Sequence, residues 1–129
     1  MAAGLFVTVV NCMDGRVQEP VSAWMRRQFN ADYVDTITEP GPDGGLASND
    51  PSMVVAIRRR VKASVKAHGS RVVAIVAHHD CAGSPVSREQ HLEQLRQSAD
   101  LVRSWQLPVR VVTLWVNENW QVEPIGDTD

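Results

Sequence analysis

The amino-acid sequence predicts an α/β fold in three layers: a mainly parallel four-stranded sheet with helices on both faces, and a short antiparallel edge strand at the C-terminus. Three observations point there. Four short runs are nearly continuous in apolar residues and rich in Val and Ile, the pattern of strands buried on both faces. Helical patterns alternate with them, and that alternation calls for a parallel sheet joined by right-handed crossovers. The length of 129 residues suits one core, so residues 1–129 are read as a single domain.

The first strand runs from Leu5 to Val10 and the second from Tyr33 to Thr38, with a short helix from Pro20 to Phe29 between them. "TEPGPDGGLASNDP" follows as a Gly/Pro-rich loop. A longer helix covers Ser52 to His68, with Asp50 as N-cap, Pro51 at the first helical position and Gly69 just past the end. The third strand spans Arg71 to Ala77. A third helix extends from about Ser87 to Trp105, where Ser87 and Gln90 have capping-box spacing and Leu92, Leu95, Ala99 and Val102 form one apolar face. Val109 to Val116 is the fourth strand. The end, "VNENWQVEPI", turns at Asn117 to Asn119 and could return along an edge, where Pro124 is tolerated.

Composition bounds the function. Apolar residues make up 43% and charged residues 22%, a soluble globular balance. A net charge of -2 gives no reason to expect nucleic-acid or anionic-membrane partners. Two cysteines are too few for a disulfide scaffold. Neither a leader pattern nor a membrane span is evident, and Ala2 stands where myristoylation needs glycine. A cytoplasmic domain with reduced thiols is expected.

Two strands end in metal-ligand residue types. The first, "VTVVNCMDGR", delivers Cys12; the third, "RVVAIVAHHDCAG", delivers His78, His79, Asp80 and Cys81. Zinc takes thiolates and imidazoles in tetrahedral sets. His78 and Cys81, three apart, can approach one ion from a single turn. Cys12 can join them if the second strand lies on one side of the first and the third on the other, because ligands bind outside the strand carboxyl ends where strand order reverses. Asp14 and Arg16 alternate with Cys12, so an extended chain would set all three on one side. A carboxylate paired with a guanidinium keeps its charge and orientation.

"CMDGR" followed by "HHDC" resembles the C-x-D-x-R and H-x-x-C motifs of the β-class carbonic anhydrases. The resemblance implies that Cys12, His78 and Cys81 are zinc ligands and that Asp14 and Arg16 are the catalytic dyad. It also implies reversible hydration of CO2 to bicarbonate on a mainly parallel α/β sheet, in a homodimer or higher homo-oligomer. Asp14 could accept a hydrogen bond at the metal's fourth position or fill that position itself. The chain departs from the family in two places. Thr38-Glu39-Pro40-Gly41 replaces an Arg-Asn-Ala-Gly type segment, and Ala82 follows the second cysteine, with Gly83 one place late. Related members of this fold hydrolyse carbonyl sulfide or carbon disulfide, so a changed cleft could mean a changed substrate. A non-catalytic, zinc-stabilised interaction protein is the reading from a different class.

Each residue also has a plainer reading. Cys12 alone reads as a buried apolar cysteine, His78 alone as a strand-end histidine, and Asp14–Arg16 as an ion pair that fixes a loop. His79 could be the ligand in place of His78, and Cys12 and Cys81 could form a disulfide. Of the remaining histidines, His79, His68 or His91 could carry protons if near the metal. Arg58, Arg59, Arg60, Lys62 and Lys66 read as a solvated basic face. Trp24, Trp105, Trp115 and Trp120 read as core or subunit-contact residues. The glycine-rich loop lacks the Lys-Ser/Thr of a phosphate-binding loop and does not open directly into a helix, so nucleotide binding is set aside.

Overall fold

The computed structural model describes residues 3–128. Five strands, β1 (Phe6–Cys12), β2 (Tyr33–Glu39), β3 (Val72–His78), β4 (Arg110–Val116) and β5 (Val122–Thr128), form one sheet in the order β2-β1-β3-β4-β5. The first four are parallel, and β5 runs antiparallel to β4. The return strand at the C-terminus is therefore present. A register shift between Thr113 and Leu114 marks its pairing, and Pro124 sits in this edge strand, where a missing N–H costs no ladder bond on the open side.

Four helices pack on the sheet: α1 (Gln18–Phe29), α2 (Pro42–Ala47), α3 (Pro51–His68) and α4 (Arg88–Ser104). Residues of successive parity along each strand face opposite ways. Ile75 and Ala77 join Leu46, Ile57, Val61, Leu95, Ala99 and Val102 in a core under α2, α3 and α4. Ala74 and Val76 join Val17, Val21 and Met25 in a second core under α1. The three layers are thus unequal, with three helices on one face and one on the other.

The expected caps form. Asp50 accepts from Ser52 N at 3.2 Å, Pro51 begins α3, and Gly69 closes it at φ +69°. Ser87 and Gln90 make the reciprocal capping box of α4. The segment read as a loop contains α2 instead, which begins shortly after β2. Its sequence, PDGGLA, has poor helix propensity. Tertiary contacts hold it: Leu46 is buried, Ser98 Oγ donates to the Asp43 carbonyl at 3.1 Å, and His91 Nδ1 lies 2.6 Å from Asp43 Oδ2 in a fully buried pair. The reason given for setting nucleotide binding aside, that no helix follows, is corrected, although the absent Lys-Ser/Thr still stands. Among the described residues no helix is long and apolar enough to cross a membrane.

Candidate metal centre

β1 lies between β2 and β3, so the strand order reverses at the β1/β3 pair, where the sequence reading placed the crevice. Val10 is in register with Ile75, which brings Cys12, the last residue of β1, close to His78, the last residue of β3. Both fall on the α1 side of the sheet. Beyond β3 the chain turns sharply: Asp80 adopts a left-handed backbone at φ +59°, a conformation Asp tolerates better than most residues. That turn brings Cys81 back towards His78. The ligand atoms of Cys12, His78 and Cys81 lie within 4.8 Å of one another, and all three residues are buried.

The geometry fits a soft divalent metal. The two sulfurs are 4.0 Å apart and both cysteines are free, so the disulfide alternative is not what forms. Two thiolates at a Zn–S distance of about 2.3 Å in a tetrahedral set would stand about 3.8 Å apart. His78 Nδ1 lies 2.7 Å from the His79 carbonyl oxygen, to which it donates. Its lone pair is thereby left on Nε2, which is buried without a hydrogen-bond partner. A buried, unpartnered imidazole nitrogen beside two thiols is unfavourable unless something with positive charge meets it.

The two sulfurs differ in their tendency to ionise. The hydrogen bond from Cys81 pulls the Cys12 thiol down, helped by His78 and by the Gly41 N–H, which lies 3.5 Å from Sγ. The same bond, with burial, pushes Cys81 up. His78 is disfavoured as a cation by burial, yet the Cys12 thiolate and the His79 carbonyl outweigh this and raise it.

Asp14 and Arg16 follow Cys12 by a different path from the one expected. The chain does not continue extended past Cys12 but enters a 3-10 turn (Gly15–Val17), for which Asp14 is the N-cap. Asp14 Oδ1 accepts from Arg16 N at 2.9 Å and from Nε at 3.0 Å, and Oδ2 accepts from Nη2 at 2.6 Å. This two-pronged pairing is geometrically specific. The guanidinium holds the Asp14 carboxyl down to about 2, and Arg16 is raised in turn, first by its bond to Asp14.

The remaining histidines separate. His79 is exposed beside the centre and offers it only its backbone carbonyl. His68 pairs with Asp35 at 2.6 Å and stacks on Phe6, at the opposite end of β1 from Cys12, roughly 20 Å along the strand. His91 is buried against Asp43. Arg58, Arg59, Arg60 and Lys66 are exposed, as a solvated face requires, and Arg60 pairs with Glu39 at 2.9 Å.

Three contributors had no part in the site assigned to them from the sequence. Gly41 lends its N–H to Cys12. Asp80 binds Arg16 Nη1 at 3.2 Å through its carboxylate and Nη2 at 3.2 Å through its carbonyl. Trp120, in the β4–β5 turn, covers the Arg16 guanidinium, whose central carbon is 4.3 Å from the ring centroid. Only Asp80 had a local signal, its place between the two histidines and Cys81. The altered loops meet here too. A Cβ on Gly83 would fall on the Pro40 carbonyl carbon, and one on Gly41 would come 2.6 Å from the Gly83 carbonyl carbon. The displaced Gly83 is therefore what lets the loops after β2 and β3 touch backbone to backbone.

No curated protein matches this chain. A family described as "Putative carbonic anhydrase" matches residues 2–126, nearly the whole sequence and both ligand-bearing strands. The chain belongs to that carbonic anhydrase family.

Proposed function

We propose that this chain is a zinc-dependent carbonic anhydrase of the β class, converting CO2 and water into bicarbonate and a proton. The observation that carries the reading is the unpartnered, buried His78 Nε2 facing the Cys12 and Cys81 sulfurs, with the Asp14–Arg16 pair close by in the chain. Cys12, His78 and Cys81 would hold the ion. When bound, zinc lowers the pKa of a coordinated water to about 7 and so supplies a nucleophile at neutral pH.

The protein's own groups govern that nucleophile's orientation. Arg16 keeps Asp14 ionised and aimed, so the carboxylate accepts a hydrogen bond and cannot donate one at neutral pH. As an acceptor, the Asp14 carboxylate would orient the nucleophile that a bound zinc supplies towards CO2. The His79 carbonyl holds the His78 tautomer. Two thiolates and a neutral imidazole would cancel the charge of a divalent zinc, so the site would hold an anionic product weakly and favour release of bicarbonate. We also propose that the protein works as a homo-oligomer; β2, an edge strand with Tyr33 exposed, offers an unpaired side.

Stopped-flow CO2 hydration at mildly alkaline pH, on protein of measured zinc content, tests the function. Hydration proportional to zinc is expected. No hydration from fully loaded protein would overturn the reading and direct attention to carbonyl sulfide or carbon disulfide.

A further inference from the structure

We propose that Trp120 is a positioning residue of this centre: its ring holds Arg16, and through Arg16 the Asp14 carboxylate, in the orientation the metal site requires. For its kinetic consequence alone, this rests on the carbonic anhydrase reading.

The edges of the Arg16 guanidinium are occupied by Asp14 and Asp80, in five contacts from Nε, Nη1 and Nη2. Its face is covered by Trp120 at 4.3 Å, well within cation–π range. Asp14 and Asp80 hold the edges, and the ring adds a contact on the face of a long side chain that is 45% exposed, which further narrows its rotamer freedom. The ring also stands beside His78 and His79, at centroid distances of 6.3 and 6.4 Å.

The backbone indicates that this placement is not incidental. Trp120 has φ +58°, a left-handed conformation that is unfavourable for a bulky residue and natural for Asn or Gly. Asn117 enforces it. The Asn117 side-chain oxygen accepts from the Asn119 and Gln121 N–H groups, and the Asn117 carbonyl accepts from Trp120 N at 2.9 Å. A turn that Asn or Gly would suit better instead carries a tryptophan, and its ring lies over the guanidinium that pairs with Asp14. Strain retained by over-determined contacts beside a reactive centre is the pattern of a functional constraint.

The same strain makes the test clean, since Trp120→Asn and Trp120→Gly relieve the backbone while removing the ring. In 15N-labelled, zinc-loaded protein, the Arg16 Nε–Hε signal, assigned by its loss in Arg16→Lys, reports both the ring and the Asp14 bond. The wild-type proton should be shifted upfield by the ring and should exchange slowly with water. In Trp120→Asn it should lose that shift and exchange faster, with zinc content unchanged, while Trp120→Phe should keep slow exchange. Zinc-normalised hydration should fall roughly two- to fivefold in Trp120→Asn, the factor a partly exposed cation–π contact supplies, and recover in Trp120→Phe. Slow exchange retained without the ring would overturn the proposal, as would a wild-type proton with no ring shift. Unfolding of both the Asn and Gly variants would also overturn it, because the ring would then be a packing residue. Inactive wild-type protein would refute the enzyme reading and leave the exchange measurement standing.

Discussion

Gly83→Ala tests whether the contact between the two altered loops holds the centre together. Gly83 does not have a positive φ, so alanine meets no backbone strain there and the whole cost is steric. The added Cβ would fall on the Pro40 carbonyl carbon and come 2.6 Å from Gly41 N and 2.8 Å from Pro40 O. All three are backbone atoms, so no side chain can swing aside, and relief requires the loops to part by about 1 Å. Overpacking of this kind costs about 1–3 kcal/mol. With a urea slope of about 2 kcal/mol/M, the unfolding midpoint should fall by about 0.5–1.5 M. The contrast is Gly15→Ala. Nothing lies within 4 Å of a Cβ there and φ is not positive, so alanine should stabilise by about 0.4–1 kcal/mol through the unfolded chain. Urea unfolding of both variants, followed by circular dichroism with chelator present to remove metal linkage, gives the two shifts. They should have opposite signs. Equal midpoints for Gly83→Ala and wild type would refute the reasoning. So would unaltered zinc affinity in a destabilised Gly83→Ala, because separating the loops must also move Gly41 from Cys12 and disturb Cys81 two residues away.

Three further outcomes are expected. Cys12→Ser and Cys81→Ser should each lose tight zinc binding, measured as metal per chain after dialysis; full occupancy in either would remove that residue from the ligand set. Asp14→Asn should retain zinc and lose turnover by roughly a hundredfold, since an amide can turn its donor towards the nucleophile, and unchanged hydration would make the Asp14–Arg16 pair structural. Asp14 is also depressed from 3.8 to about 2 by Arg16, so the unfolded chain binds more protons between these values and stability rises with pH there. The stability Asp14 contributes is complete above 3.8 and lost as pH falls towards 2. The difference between metal-free wild type and Asp14→Asn should close over that window, and a gap independent of pH would show that the pair does not form.

The parts of this protein most legible in its sequence are those decided locally. Leu95, Ala99 and Val102 recur at helical spacing because a helix presents one face to a sheet, and all three are buried. Asp50-Pro51 and Ser87-Gln90 announce helix starts because orphan N–H groups need nearby acceptors. α2 escaped the same reading because its helicity is imposed from outside, by Ser98, His91 and the burial of Leu46. Asp14 and Arg16 are expected to share a side with Cys12 on an extended chain, and the backbone there is not extended. A period-two pattern presumes extended backbone, whereas Asp14 caps a 3-10 turn that returns Arg16 to it.

What the sequence determined alone is the identity of the groups: two sulfurs, an imidazole, a carboxylate and a guanidinium, each at or just beyond the end of a buried strand. Identity and spacing are local properties, and the chemistry of thiolate, imidazole and carboxylate does not depend on the rest of the chain. The tertiary structure decided which groups meet. The strand order β2-β1-β3 brings Cys12 to residues 66 and 69 positions away. The His79 carbonyl selects the His78 nitrogen that faces the sulfurs, and a turn 104 residues beyond Arg16 supplies the ring over its guanidinium. Apart from the His79 carbonyl, which is the next residue's, these are contacts between segments far apart in the chain. Sheet order and side-chain packing create them, and no pattern within either segment encodes the partner.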